Sequence, residues 1–192
     1  KEELEAHAVF YLLESHTFET AYNKHKMHKL ALDLGIPVAR GTVIQAQQDA
    51  KQVGPGFQLP VVLRPESSVT MDRNFAARQE VRKAFTRNDL EHYLYEMLKA
   101  GPVLVQEHFH GIGAGVEVLA YEGRILTAFQ HTRVHEPLHG GGGPYRRSTA
   151  IDPELFDAAE KLIRALQYTG VAMFEFKVDE KTKRWIFVEI NA

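Results

Sequence analysis

The chain contains no cysteine, which excludes disulfides, thiolate nucleophiles and cysteine-ligated metals and agrees with a cytoplasmic home. No apolar run reaches the roughly 18 to 20 residues of a membrane span, and the charged start Lys1-Glu-Glu-Leu-Glu5 lacks the character of a secretory signal. An excess of one charge is missing too: 23 Lys and Arg against 25 Asp and Glu leave a net charge of −2. That balance gives no bulk attraction to nucleic acid or to an anionic membrane, so any anion site must be local. Internal repeats are absent, and so is low complexity outside the glycine run 140–143. What is present is 192 residues with 44% hydrophobic content, enough for one sizeable core or two smaller ones sharing an interface. The first residue is not Met and the last follows directly on a strongly patterned strand, which reads as an excised fragment.

The C-terminal stretch is the most informative. In Gly170-Val-Ala-Met-Phe-Glu-Phe-Lys-Val178, residues Ala172, Phe174, Phe176 and Val178 alternate with Met173, Glu175 and Lys177. In Arg184-Trp-Ile-Phe-Val-Glu-Ile-Asn191, Ile186, Val188 and Ile190 alternate with Phe187, Glu189 and Asn191. Period-two alternation predicts two strands with one apolar face each, and the polar run Asp179–Lys183 supplies the reversal. The hairpin sets Glu175 across from Phe187 or, with a small register change, from Glu189. Either register puts the two carboxylates about 5 to 8 Å apart, where a divalent cation would relieve their repulsion. The same pattern fits an ordinary amphipathic hairpin with a solvated charged face.

Upstream, helical spacing over residues 2–14 and 20–34 predicts two helices, the second ended by Gly35-Ile-Pro37. A strand is expected over Val38–Ile44, a short helix over Ala46–Val53, a Gly-Pro-Gly turn at 54–56 and an apolar strand over Leu59–Arg64. Glu66–Ala77 lacks periodicity and is expected to be a mobile loop. Asn88-Asp89 is the expected cap of a helix running to about Leu98, followed by a strand over Pro102–Glu107. A hairpin is expected around Glu122-Gly123, a flexible glycine loop at 139–144, and a helix opened by Asp152-Pro153. This order predicts an α+β architecture of two lobes, with the ligand site in the cleft between them.

In this order the residues resemble the ATP-binding core of an ATP-grasp enzyme, nearly end to end. Asn23-Lys24 followed by Gly35-Ile-Pro37 is similar to the family's opening element, in which Lys contacts nucleotide phosphates. Leu59-Pro-Val-Val-Leu-Arg-Pro65 is similar to its second phosphate-binding strand, and Val103-Leu-Val-Gln-Glu-His-Phe109 to the linker that recognises adenine. Arg133 matches an arginine near the reacting phosphate. Glu175, Glu189 and Asn191 match the acids and amide that hold magnesium. The resemblance implies the ATP-grasp fold, with two lobes of mostly antiparallel sheet with helices and a nucleotide cleft between them. Its parts would be a helix from a preceding domain over 1–19, a small lobe over 20–100 and a large lobe over 101–192. It implies ATP and Mg2+ as cofactors, with Lys24, Arg64, Gln106, Glu107, His108, Phe109 and Glu117 on the nucleotide, the last at the ribose hydroxyls. Glu175, Glu189 and Asn191 would take the metal and Arg133 the catalytic charge. The activity implied is a ligase that converts a carboxylate to an acyl phosphate for attack by an amine. Its partners would be small-molecule carboxylate and amine substrates, with room for a homodimer or for flanking domains of the same chain, and neither nucleic acid nor membrane.

The residue types suit those roles on chemical grounds. Triphosphate oxygens need charge-assisted donors, which Arg gives as a planar fork and Lys as a point charge. Magnesium takes oxygen ligands, and a guanidinium offsets charge developing during phosphoryl transfer. Arg146 and Arg147 are further candidates for an anion or an acidic substrate. The four glycines 140–143 lack a following GK[ST] signature and are assigned to a substrate loop. His131, His135 and His139 are spaced for a helix but fall on strand and loop, which argues against a metal site. One departure from the family pattern is Glu66–Asn74, which contains no glycine where a phosphate-covering loop is expected. That departure keeps two alternatives open, a nucleotide-binding regulatory module without turnover and a structural α+β interaction domain.

Overall fold

The computed structural model describes residues 13–53, 57–67, 69–72, 75–78, 80–135 and 145–192. Most of the expected 2–14 helix, the Gly-Pro-Gly turn and the 140–143 glycine loop lie outside these residues. Three antiparallel sheets and four α-helices make up the rest, an α+β arrangement as expected. Among the described residues no helix is long and apolar enough to cross a membrane.

The helical stretch expected at 20–34 is two helices, α1 (Ser15–Tyr22) and α2 (Lys24–Asp33), broken at Asn23. Asn23 is extended, and its side-chain oxygen accepts from the backbone N–H of His25 and Lys26, satisfying donors that a helix start leaves without partners. The periodicity carries across the break because both helices bury apolar residues in one core: Ala21, Met27 and Ala31.

The first sheet has the order β1 (Gly41–Ile44), β6 (Val103–Glu107), β2 (Val61–Pro65), β5 (Arg82–Ala84). A 3-10 helix (Gln47–Val53) and α3 (Arg87–Met97) belong to the same lobe, and Val53, Leu90, Leu94 and Met97 close its core against Ile44, Val61, Leu63, Val103 and Val105. β6 lies past the expected lobe boundary at residue 100, yet it pairs with β1 and β2. The α3 cap is Thr86, whose hydroxyl accepts from the Asp89 backbone while the Asp89 carboxylate accepts from the Thr86 backbone. Asn88 is not the cap; the reciprocal pair places the start two residues earlier. The segment expected to be a loop at Glu66–Ala77 contains a hairpin, β3 (Val69–Asp72) with β4 (Phe75–Arg78), whose short strands are below the length at which alternation shows.

The second sheet has the order β11 (Trp185–Asn191), β10 (Gly170–Val178), β7 (Ile112–Tyr121), β8 (Arg124–Arg133), β9 (Arg146–Thr149). The β7–β8 turn has Glu122 and Gly123 both at positive φ, 46 and 74°, the conformation that two-residue hairpins favour. One face of the sheet presents Ala114, Val116, Val118, Ala120, Ala172, Phe174, Phe176 and Ile190 to a core shared with α4 (Pro153–Leu166), which contributes Leu155, Ala159, Leu162 and Ile163. Asp152 caps α4 and Pro153 opens it.

Candidate nucleotide and metal cleft

The β10–β11 register settles the alternative left open by the hairpin: Glu175 pairs with Glu189 and Met173 with Asn191, while Phe176 pairs with Phe187. Val188 is the extra residue of a β-bulge. The bulge corrects the expected apolar face of β11. Phe187 and Ile190 are buried, three apart instead of two, and Val188 is only half-buried.

The inserted residue has a use. Arg64, in the middle of the first sheet and 7% exposed, donates through Nη1 to the Val188 carbonyl at 2.8 Å and through Nη2 to Glu189 Oε2. Lys24, the first residue of α2, brings Nζ to 3.8 Å from the same carboxylate oxygen. The α2 start is itself tied to the exit of β2, since Lys24 N donates to the Glu66 carbonyl at 2.9 Å and Asn23 Nδ2 to Glu66 Oε1 at 2.8 Å. One strand away, Arg133 Nη2 donates to Glu175 Oε2 at 2.7 Å, with both residues buried. Lys24, Arg64, Arg133, Glu175 and Glu189 thus converge from five elements, α2, β2, β8, β10 and β11.

Burial governs the electrostatics. Desolvation pushes the Lys24 ammonium below its usual range against the opposing pull of Glu189, with Arg64 pushing the same way as burial. Burial also lowers His25 and His28, next along α2. Glu175 is raised by burial first, with Arg133 pulling it down and Glu189 pushing it up. Buried nitrogens without a hydrogen-bond partner among the described residues are His25 Nε2, Arg64 Nε and His108 Nδ1. Arg64 Nε and His108 Nδ1 are unmet donors that fit an anionic, hydrogen-bond-accepting ligand, whereas the neutral His25 ring already donates to the Arg64 backbone and presents Nε2 as an acceptor. Among the described residues no three His, Asp or Glu side chains form a ready metal cluster. Glu175 and Glu189, paired across the ladder, with Asn191 two residues on, are nonetheless the hard oxygen donors that magnesium takes.

The linker residues stand elsewhere in the same cleft region. The Gln106 amide is held by His28 Nδ1 at 3.1 Å and the Ala39 carbonyl at 3.4 Å. Glu107 pairs with Arg40 at 3.0 Å and its N–H donates to the Arg40 carbonyl. His108 Nε2 lies 2.7 Å from Lys83 Nζ; burial and then Lys83 push its pKa down to about 4. Phe109 is half-buried. Glu117 is not with this group. It sits farther along β7, opposite Met173, against His131 Nδ1 at 2.6 Å. Sequence reasoning weighed His131 only as a metal ligand and set it aside, and passed over Lys83 and His28. The first had a signal, because alternation along β8 puts Phe129, His131 and Arg133 on one face; the other two meet their partners only through tertiary packing.

Solved structures with this fold include an L-amino acid ligase from Bacillus licheniformis, which matches 100% of the chain and 45% of its own length with a TM-score of 0.71 at 17% identity. The chain carries the ATP-grasp fold. A D-alanine–D-alanine ligase from Bacillus anthracis, solved with ATP, has the same ATP-grasp core over 99% of this chain and 61% of its own, with a TM-score of 0.66 and 14% identity. In sequence, a D-aspartate ligase of Enterococcus faecium (strain Aus0004) is 23% identical over 208 residues, covering 100% of the chain and 48% of the ligase. The chain therefore spans about half the length of the ATP-grasp relatives it matches. No family model matches it.

Proposed function

We propose that this chain is the nucleotide- and metal-binding core of a cytoplasmic ATP- and Mg2+-dependent ligase. It would activate a small-molecule carboxylate as an acyl phosphate, which an amine then attacks. The observation that carries the reading is the convergence of Lys24, Arg64 and Arg133 on the paired carboxylates Glu175 and Glu189. In this reading each charged group exchanges one partner for another. Lys24 and Arg64 release Glu189 to hold phosphate oxygens, and Arg133 releases Glu175 to face the γ-phosphate. Glu175, Glu189 and Asn191 would hold magnesium, whose charge would offset that of the phosphates. Gln106 and the backbone of Glu107, His108 and Phe109 meet the adenine edge. The D-aspartate and D-alanine ligases it is similar to favour an amino acid among the substrates.

Calorimetry of a non-hydrolysable ATP analogue with the full-length protein tests this, with and without magnesium. Magnesium is expected to tighten binding at least tenfold. Glu189→Gln should reverse the pattern: metal-free affinity rises a few-fold, since Arg64 and Lys24 lose their competing carboxylate, while the gain from magnesium is largely lost. Equal binding with and without the metal in both proteins would exclude the site. Release of ADP on adding candidate acids and amines separates a ligase from a nucleotide-binding regulator.

A further inference from the structure

Glu117 and His131 form a carboxylate–imidazole pair on the cleft face of the second sheet, built around a glycine. Gly115 lies opposite Glu175 on β10 and opposite His131 on β8. The His131 ring occupies the space above it: a Cβ at 115 would come within 2.9 Å of Nε2 and closer still to Cε1. The ring is 4% exposed, and its Nδ1 is 2.6 Å from Glu117 Oε1. Hydrogen bonding to the carboxylate fixes the proton on Nδ1 and leaves a lone pair on Nε2. The charged groups that act on the ring are Glu117 on β7, Arg146 on β9 and Arg133 on β8. Arg146 Nη1 is 3.8 Å from Glu117 Oε1 and 3.5 Å from Met173 Sδ. The second oxygen of Glu117 is buried with no hydrogen-bond partner among the described residues.

The pairing order locates this dyad along the cleft. Counting from the linker at Glu107–Phe109, Gly113 faces Lys177, Gly115 faces Glu175, and Glu117 faces Met173. With the base at the linker and the phosphates at Glu175, Glu117 lies past the phosphate end, away from any ribose. That end must receive the carboxylate and its attacker. We propose that Glu117 and His131 bind the ammonium group of the amine substrate and that His131 Nε2 removes its proton. This rests on the ligase reading and replaces the ribose role of Glu117.

The step balances. A primary amine at neutral pH is protonated and has no lone pair to attack with. Glu117 accepts a hydrogen bond from the ammonium, and Nε2 takes one proton to give an imidazolium held by Glu117. The nitrogen lone pair forms the C–N bond at the acyl carbon, the C–O bond to phosphate breaks with its electrons on phosphate, and the second surplus proton leaves on that phosphate.

Hydroxylamine is largely unprotonated at neutral pH and needs no base, so it separates activation from amine deprotonation. The full-length protein would be given ATP, magnesium and a panel of amino acids, with either hydroxylamine or a second amino acid as nucleophile. His131→Gln keeps an N–H toward Glu117. It is expected to retain hydroxamate formation within about twofold and to lose amide formation by about 100-fold or more, with the loss shrinking as pH rises toward the amine's own pKa. Gly115→Ala, which displaces the ring, should give the same split. Equal loss of both products, or of neither, overturns the dyad. If the wild type forms no hydroxamate with any acid, the ligase reading fails and takes the dyad with it.

Discussion

At the scale of single residues, the cleft is dominated by groups whose charge state is set by burial. His108 shows the consequence for stability. Its pKa falls from the ordinary value to about 4 in the folded chain, so between roughly pH 6.5 and 4 the unfolded state binds a proton that the folded state refuses. The neutral ring's contribution is full above about pH 6.5 and is lost as pH falls through 4. The melting temperature of the wild type should therefore drop across that window, and His108→Gln should flatten the drop; thermal melts at half-unit pH steps check it. The types and order of Lys24, Arg64, Arg133, Glu175 and Glu189 were legible in the sequence through resemblance, but their mutual ion pairs were not. Arg64 and Glu189 are 125 residues apart in the chain, and nothing local announces their contact.

At the scale of elements, long periodic segments were legible and short or interrupted ones were not. Helix α4 and the β7–β8 hairpin follow directly from Asp152-Pro153 and Glu122-Gly123. The β11 apolar face was misread because alternation assumes an unbroken ladder, and the bulge at Val188 shifts the phase by one residue. The α3 start was misread because Thr86 and Asn88 are both good caps by type, and only the reciprocal bonds with Asp89 distinguish them. The distinction is measurable: Thr86→Ala should cost about 1 kcal/mol of unfolding free energy, while the exposed Asn88→Ala should be near neutral. Urea titration of both variants decides between the caps.

At the scale of the whole molecule, two sheets with separate cores meet at a seam of charge, with Arg64 from one lobe reaching the bulged strand of the other. The α+β class and two-lobed plan were legible from element order. That β6 completes the first sheet was not, since strand pairing over such separations follows from topology. Asn23 spans this seam through one amide. Its oxygen caps the helix that begins with Lys24, while its nitrogen grips Glu66 just past the strand that carries Arg64. The two cations proposed to hold phosphate are thereby set at a common spacing by a part with two unlike ends. Asn23→Asp would exchange only one end: the helix keeps its cap, but the new carboxylate faces Glu66 and repels it. Its melting temperature should stay within a few degrees of wild type while nucleotide affinity falls several-fold by calorimetry. The amide acts as a gauge block between two charges, and a single nitrogen sets how well they would fit the proposed polyphosphate.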